Sequence, residues 1–373
     1  MQKLKIALSL FLCTVILTGS TLFQTALAAG SSTAAYVALG DSITAGYGLS
    51  SFTIGDAKNK SSENNFVIKL GKKLGKKALN FGVEGIDTSI LLKSISKPFT
   101  SEEKSTVEQI KKASLITLSI GGNNVLWPLL DALNEKVGSG KTIFNADEIE
   151  IQSAVLGLLF DTEALSRLQK NVAAGAERFT GNVQLKKTGE FSEIISTLKK
   201  LNPKVKIIVQ TVYNPYGIFM PQSVDSAIKS MNAQIIKGSA NGKNYLVADV
   251  YAAFSAVAPG TKLVNADSGT SFDPHPTAKG HEVIYTLVAY AAQNNTLPYK
   301  VNANITKGTL AAKIINGQLV LTVTPAAGYK LPENILLTVG KGQKRTLILK
   351  NGTASVPVAD VNADIHVSGV CSR

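Results

Sequence analysis

Short apolar runs alternate with longer amphipathic segments through the first 300 residues. An apolar run of five or six residues is typical of a buried strand, whereas apolar residues three or four positions apart are typical of a helix. The runs predict strands at residues 36–39, 78–83, 114–120, 204–212 and 245–250. Helical spacing follows at residues 66–77, 89–95, 101–112, 223–241 and 277–293. Strands alternating with helices predict a parallel sheet that is covered on both faces.

The pattern departs from this alternation twice. From residue 127 to about 200 it is continuously helical and predicts a helical insertion. Beyond residue 299 no helical pattern remains, and the chain consists of short β-rich runs separated by Gly, Asn and Pro, at 314–324, 335–339, 345–349 and 354–357. We therefore predict an α/β domain over residues 29–298 and a small β-sandwich-like accessory domain over residues 299–373.

The first 28 residues have the pattern of a secretory signal peptide. Lys3 and Lys5 precede an apolar run over residues 6–17, and the small residues of Ala26-Leu27-Ala28 suit a cleavage site. The apolar run is too short for a comfortable membrane span. We expect the mature chain to be secreted, with the cell wall as a candidate place of retention.

Charge and cysteine content narrow the expected partners. The formal net charge of the 373 residues is +13, but the lysines are scattered rather than interleaved with aromatic residues. This favours a solvated basic surface over nucleic-acid binding, and such a surface would also suit an anionic membrane or wall polymer. Loss of the leader removes Cys13 and leaves Cys371, so we expect neither an internal disulfide nor a cysteine-based metal cluster.

A candidate nucleophile follows the first predicted strand. Ser42 lies in Gly40-Asp41-Ser42, at the carboxyl end of a strand, where open α/β sheets bind their ligands. Thr44 occupies the position that is glycine in the Gly-x-Ser-x-Gly elbow of many lipases, so this is a different motif. Taken alone, the tripeptide is also typical of an ordinary turn.

The three histidines differ in their surroundings. His275 lies in a loop ahead of the last α/β helix, and Asp273 precedes it by two residues. A serine nucleophile needs a base, and a carboxylate that orients the base makes it more effective, so Ser42, His275 and Asp273 form a complete set. His281, one turn into the helix, suits a packing or capping role, and His366 in the β-rich tail suits the surface. The alternative for His275 is a helix start flanked by prolines and without a chemical role.

Two further strand ends offer donors for an oxyanion. The backbone N–H of Gly85 is unobstructed by a side chain, and Asn123 offers a side-chain amide. With the backbone N–H of Ser42, these would give three donors at adjacent strand ends. Each residue singly also fits a turn.

Taken together, these blocks resemble the SGNH (GDSL) hydrolases over about residues 34–295. Gly40-Asp41-Ser42 matches the nucleophile block, Gly85 the oxyanion glycine, Gly121-Gly122-Asn123 the oxyanion asparagine block, and Asp273 with His275-Pro276 the last block. The resemblance implies a flavodoxin-like α/β/α sandwich with five parallel strands in the order 2-1-3-4-5. It also implies ester hydrolysis through an acyl-enzyme, without a metal or organic cofactor.

The chain departs from the family pattern at two positions. Asn124 stands where the third block usually has Asp, a residue that is commonly structural in the family. Only Pro274 separates Asp273 from His275, where two residues are usual. This shorter spacing leaves open whether Asp273 or a backbone carbonyl orients His275.

These observations predict a secreted serine esterase or lipase whose partner is an ester substrate. The apolar segment Ile151–Phe160 and the leucines around Trp127 suggest an acyl-chain surface, although they would equally pack the inserted helices. The alternatives are a deacetylase of acetylated polysaccharide or cell-wall polymer, and a non-catalytic wall-binding protein with the β-rich tail as its adhesive part.

Overall fold

The structure, a computed structural model, describes residues 35–49, 60–138, 140–217, 221–258, 260–266 and 271–373. The predicted signal peptide, residues 1–28, lies outside these ranges. The described strands are β1 (Tyr36–Gly40), β2 (Ala78–Gly82), β3 (Leu115–Ser119), β4 (Gly181–Asn182), β5 (Lys187–Thr188), β6 (Lys206–Gln210), β7 (Leu246–Ala248), β8 (Val301–Thr306), β9 (Gly308–Ile315), β10 (Gln318–Pro325), β11 (Asn334–Val339), β12 (Arg345–Ile348), β13 (Thr353–Pro357) and β14 (Ile365–Val370).

The described helices lie mostly in the first 300 residues. They are α1 (Ser42–Ala45), α2 (Phe66–Leu74), α3 (Thr88–Ser96), α4 (Ser101–Lys112), α5 (Gly122–Asn134), α6 (Glu148–Leu159), α7 (Thr162–Thr180), α8 (Glu190–Leu201), α9 (Gln222–Gly238), α10 (Val250–Ser255) and α11 (Ala278–Ala292), with a 3₁₀ turn at Val358–Asp360. Polar caps define several starts. Thr100 and Glu103 form a capping box on α4, and Asp147 and Glu150 form one on α6.

The main sheet is parallel and has the strand order β2-β1-β3-β6-β7. When only the strands of this sheet are numbered along the chain, their order is 2-1-3-4-5. The predicted flavodoxin-like fold class is therefore confirmed. Register is continuous at the centre, where Tyr36 pairs with Ala78 on one side and Leu115 on the other. Neighbouring strands therefore end at the same edge of the sheet and bring their following loops together.

Helices bury both faces of this sheet. In β1, Val37 and Leu39 pack into a core shared with α3 to α9, whereas Tyr36 and Ala38 pack into a second core with α2, α10 and α11. All four side chains are buried. The alternation of side chains along a strand thus divides one apolar run between two cores, which gives the three-layer sandwich.

The region predicted as a helical insertion contains α5 to α8 and one short antiparallel hairpin. Strands β4 and β5 pair within it, with Gly181 opposite Thr188. The sequence pattern did not predict this hairpin because two-residue strands are too short to show alternation.

The residues after 300 form two sheets, with orders β13-β10-β9 and β12-β11-β14-β8. Their inward side chains share one core that includes Leu319, Leu321, Ile335, Leu337 and Val367. The β-rich character predicted for this part of the chain is confirmed. The boundary at residue 299 and the independence of the two parts remain predictions.

One predicted β-rich run contains parts of two strands. Residues 314–324 span the end of β9, a turn, and most of β10. The turn residues Asn316 and Gly317 have φ angles of 47° and 70°, the left-handed conformation that two-residue hairpin loops require and that Asn-Gly adopts readily. Strands β8 and β14 were not predicted, because their polar outward residues interrupt the apolar pattern.

Candidate active site

Ser42 lies at the start of α1, directly beyond the carboxyl end of β1. Asp41 caps this helical turn: its Oδ1 accepts hydrogen bonds from the Ile43 N–H at 3.1 Å and from the Ser119 hydroxyl at 3.3 Å. Asp41 is buried, and this burial raises the pKa of its carboxyl to about 7. The cap ties the turn that carries Ser42 to the end of β3.

His275 and Asp273 reach Ser42 from the loop ahead of α11. The His275 Nε2 lies 2.9 Å from the Ser42 Oγ, and the His275 Nδ1 lies 2.5 Å from the Asp273 Oδ1. In the tautomer whose Nδ1–H donates a hydrogen bond to the Asp273 carboxylate, the Nε2 lone pair is left to accept the Ser42 hydroxyl proton. The hydroxyl, imidazole and carboxylate are therefore arranged in series.

The short spacing between Asp273 and His275 is accommodated by a local turn. The Asp273 Oδ1 accepts the backbone N–H of His275 at 3.1 Å as well as the ring Nδ1–H. The other oxygen, Oδ2, is buried and has no hydrogen-bond partner among the described residues. Among the described residues, both hydrogen bonds that the Asp273 carboxylate accepts come from His275. The carboxylate therefore reaches the imidazole ring in spite of the shorter spacing.

The three predicted oxyanion donors keep unused N–H groups. Asn123 uses one N–H of its side-chain amide on the Ile86 carbonyl, at 2.8 Å, and has a second. In the described part of the chain, the backbone N–H groups of Ser42 and Gly85 have no acceptor. Ser42 and Asn123 also line the same pocket.

Trp127 holds Gly85 in place, a contact that sequence reasoning missed. Its indole N–H donates to the Gly85 carbonyl at 2.8 Å. Gly85 has a φ of +76°, and a Cβ added to it would lie 3.0 Å from the indole ring. Both the backbone conformation and the indole contact therefore favour glycine here.

A second missed contact lies beside the base. The Tyr47 ring packs against the His275 imidazole, with ring centroids 4.5 Å apart and the planes tilted by 56°. Tyr47 is five residues after Ser42, so the turn that carries the nucleophile also supplies a wall for the imidazole. Its position after a glycine in Ala45-Gly46-Tyr47 gave no signal of this role.

Among the described residues, neither of the other two histidines is hydrogen-bonded to Ser42. His281 is fully buried in α11, where its Nδ1 accepts the Phe66 N–H at 3.4 Å and its ring stacks on Phe66. Burial lowers the pKa of His281 to about 3, so the ring is neutral. His366 is exposed on β14.

An apolar pocket adjoins Ser42 and His275. Its walls come from α5, α9 and the loop after β6, with the side chains of Val125, Leu126, Leu129, Val212, Tyr213, Tyr216, Val224 and Ile228. The leucines flanking Trp127 thus line the pocket, as one reading of the sequence suggested. The segment Ile151–Phe160 does not: Ile151, Ala154 and Leu158 pack against neighbouring helices instead.

A five-stranded parallel sheet with a Ser-His-Asp array and free N–H donors at one edge defines a hydrolase of the SGNH class. The chain belongs to the GDSL-like lipase/acylhydrolase family, whose model matches residues 38–283. It is accordingly a carboxylic ester hydrolase.

Solved structures similar to this chain include lipases and a phospholipase. The goat rumen metagenome lipase Lip_vut3 is 23% identical, with 69% of this chain and 97% of that chain covered and a TM-score of 0.41. The extracellular lipase of Streptomyces rimosus is 16% identical (71% and 100%, TM-score 0.47). Phospholipase A1 of Streptomyces albidoflavus NA297 is 18% identical (70% and 99%, TM-score 0.46). A search of curated proteins finds no match.

Among the described helices, none combines the length and the apolar character needed to cross a bilayer. Within the same ranges, no group of three or more His, Cys, Asp or Glu side chains is placed to hold a metal ion.

Proposed function

We propose that this chain is a secreted serine esterase that hydrolyses acyl esters through a covalent acyl-enzyme. The observation that supports this is the 2.9 Å contact between the Ser42 Oγ and the His275 Nε2, with Asp273 on the far side of the imidazole. A hydroxyl and a neutral imidazole at this distance can exchange a proton, the step that activates serine as a nucleophile.

The reaction proceeds in two halves. The Ser42 Oγ attacks the ester carbonyl carbon while its proton passes to the His275 Nε2, and Asp273 stabilises the imidazolium. Ser42 N–H, Gly85 N–H and the Asn123 amide donate to the oxyanion. Collapse breaks the ester C–O bond, and the alcohol leaves with the proton from His275. A water molecule then gives a proton to the His275 Nε2 and attacks the acyl carbon. The bond between that carbon and the Ser42 Oγ breaks, the acid leaves, and His275 returns the proton to the Oγ.

The pocket favours an apolar acyl chain. Its side walls are aliphatic and aromatic. An alkyl chain that lies between these walls would bury apolar surface, a gain that an acetyl group, with a single methyl, makes only in small part. We therefore propose lipid-derived or other alkyl-chain esters rather than acetylated polysaccharide.

The experiment uses the mature protein and p-nitrophenyl esters of acetate, butyrate and octanoate. Ser42→Ala should abolish turnover of all three while the melting temperature stays within a few degrees, and Ser368→Ala, in the C-terminal sheet, is the control. Undiminished turnover by Ser42→Ala would end the proposal. A chain-length optimum at acetate would overturn the acyl-chain preference and favour the deacetylase alternative.

Secretion and the role of the tail are separate parts of the proposal. The sequence of residues 1–28 supports export, and the first residue of the exported protein should follow Ala28. Residues 299–373 carry seven lysines and two arginines against three acidic residues, which supports an accessory domain attracted to an anionic wall or membrane surface. Sedimentation of the protein with anionic wall material at low and high salt tests this attraction.

A further inference from the structure

Two tyrosines in the loop after β6 donate hydrogen bonds to the loop that contains the base. We call this segment, Phe272–Pro276, the base-carrying loop. The Tyr213 hydroxyl donates to the Pro274 carbonyl at 2.7 Å, and the Tyr216 hydroxyl donates to the Phe272 carbonyl at 3.0 Å. These carbonyls lie on either side of Asp273. The two bonds therefore hold the backbone immediately ahead of His275 from the neighbouring loop.

The side chains of both tyrosines lie inside the protein and not on its surface. Tyr213 and Tyr216 are buried, and this burial raises the pKa of each hydroxyl well above its usual value. Both hydroxyls consequently remain protonated donors throughout the range in which an esterase works. The Tyr216 ring also stacks on Phe272, with centroids 4.2 Å apart, which adds a side-chain contact to the same loop.

The carbonyls that these hydroxyls bind belong to a segment that depends on outside contacts. Pro274 has no N–H to anchor it, and the Asp273 N–H donates only within the loop, to the Ser271 hydroxyl at 3.3 Å. On the far side of the base, the His275 carbonyl accepts the Asn265 N–H at 2.8 Å. This bond and the two tyrosine hydrogen bonds together hold the backbone of the base-carrying loop on both sides of His275.

The same tyrosines are also part of the wall of the substrate pocket. Tyr213 and Tyr216 line it together with Ser42, His275 and the apolar side chains of α5 and α9. Each tyrosine is thus placed for two roles: its hydroxyl binds a backbone carbonyl of the base-carrying loop, and the residue belongs to the wall of the pocket beside Ser42.

We infer that Tyr213 and Tyr216 are positioning residues whose hydroxyls align His275 with Ser42 and whose rings select the acyl chain. The inference rests on the proposed function, because it assigns a role within the same site. The two roles predict two separate kinetic effects, one on kcat and one on KM. Loss of a hydroxyl affects the proton transfers that His275 makes for every ester, whereas loss of a ring affects the binding of long chains.

The hydroxyl test uses Tyr213→Phe, Tyr216→Phe and the double variant. Each single variant should lower kcat by about three- to tenfold, the factor that corresponds to one hydrogen bond. The double variant should lose up to about 100-fold, as expected when a catalytic group is displaced by about 1 Å. The factor should be the same for acetate, butyrate and octanoate esters, with KM little changed.

The ring test uses Tyr213→Leu and Tyr216→Leu, each compared with the Phe variant at the same position. Both Leu and Phe lack the hydroxyl, so the comparison isolates the ring. KM should rise more for the octanoate than for the acetate ester. Equal changes for all chain lengths would overturn the role of the rings.

Tyr245→Phe is the matched control. Tyr245 is also buried, and its hydroxyl donates to a backbone carbonyl, that of Ile235, at 2.6 Å, outside the base-carrying loop. This variant should lose melting temperature to a similar degree as the single Phe variants but keep kcat. If Tyr213→Phe and Tyr216→Phe also keep kcat, the positioning role is overturned while the Ser42 mechanism stands. Turnover by Ser42→Ala would instead refute the underlying function.

Discussion

At the residue scale, the adjacent side chains of Asn123 and Asn124 have different surroundings. Asn123 donates one N–H to the Ile86 carbonyl and has a second free beside Ser42. Asn124 is fully buried: its Oδ1 accepts the Thr88 N–H at 3.2 Å, and its Nδ2 donates to the Thr88 hydroxyl at 2.8 Å and the Gly175 carbonyl at 3.2 Å. The amide suits this place because an aspartate has no N–H for Gly175.

Alanine variants should separate the two roles. Asn123→Ala should lower kcat by about 10²- to 10³-fold, because it removes one donor to the oxyanion, with the melting temperature nearly unchanged. Asn124→Ala should instead lower the free energy of unfolding by about 2–4 kcal/mol, since it leaves buried partners unsatisfied, with a smaller loss of kcat. Ester kinetics and urea unfolding of both variants measure this. Equal kcat losses would contradict the division of roles.

Two buried ionisable residues, Asp41 and His281, should oppose each other in their effect on stability at acid pH. Burial raises the pKa of Asp41 to about 7 and lowers that of His281 to about 3. Between about pH 4 and 6.5 the folded chain holds a proton on Asp41 and none on His281, whereas the unfolded chain holds one on His281 and none on Asp41. Each state binds one proton, so the two contributions to the pH dependence cancel.

Removing either residue should expose the slope of the other. In Asp41→Asn, the free energy of unfolding should rise with pH across this window by about 1.4 kcal/mol per unit more than in the parent, because His281 must lose its proton to fold. In His281→Leu it should fall by about as much per unit, because Asp41 must gain one. Urea unfolding at several pH values checks both signs. Slopes that match the parent would refute the assigned pKa directions.

At the scale of elements, the backbones of helices α5 and α7 approach each other closely at Gly175. A Cβ added to Gly175 would lie 1.9 Å from the Asn124 carbonyl oxygen, so the two helix backbones touch. This contact places the first turn of α5, and with it Asn123, against α7. The helical region between β3 and β6 therefore supports Asn123, the proposed oxyanion donor, rather than only covering the sheet.

Two glycine-to-alanine variants test this approach. Gly175→Ala should lower the free energy of unfolding by about 1–3 kcal/mol or more, because the helices must separate. Gly157→Ala, in α6, is the control: its Cβ would have only ordinary contact with Lys136, at 3.8 Å or beyond. It should stabilise the chain by about 0.5–1 kcal/mol through helix propensity. Urea midpoints compare them, and a tolerated Gly175→Ala would contradict the close packing.

The sequence predicted elements where one physical signal dominates. The central strands are buried on both faces and read as apolar runs, and α4 shows both helical spacing and a capping box. The sequence did not predict strand β14. Its outward residues His366, Ser368 and Val370 alternate with residues that can be recognised as inward only from the folded core. The serine, histidine and strand-end donors could be proposed from motif and position. The contacts of Tyr213, Tyr216 and Trp127 could not, because they depend on how loops distant in sequence meet.

At the scale of the whole molecule, the two β sheets are joined to the α/β part by packed side chains. Val358 and Ala359 are buried in the core that contains α10 and α11. The Tyr299 hydroxyl donates to the Glu282 carboxylate of α11 at 2.5 Å. A Cβ on Gly317 would lie 2.5 Å from the backbone of Ala252. The tail is thus fixed against the helices that follow β7 and the base-carrying loop.

A buried charge at this junction should destabilise the molecule. Val358→Asp should lower the free energy of unfolding by about 3 kcal/mol or more, because the carboxylate has no partner in an apolar core. Val370→Asp is the control, since Val370 is 65% exposed on β14 and should cost less than about 1 kcal/mol. Thermal unfolding measures both. Equal effects would show that the two parts do not share a core.

The separation of the reacting groups along the chain has a consequence for biosynthesis. Asp273 and His275 are two residues apart, but Ser42 is 233 residues from His275. A growing polypeptide therefore contains its nucleophile early and acquires the base only shortly before the final α/β helix, Ala278–Ala292, is synthesised. Ester cleavage should begin late, after that helix docks, so recovery of turnover during refolding would report closure of the entire sheet.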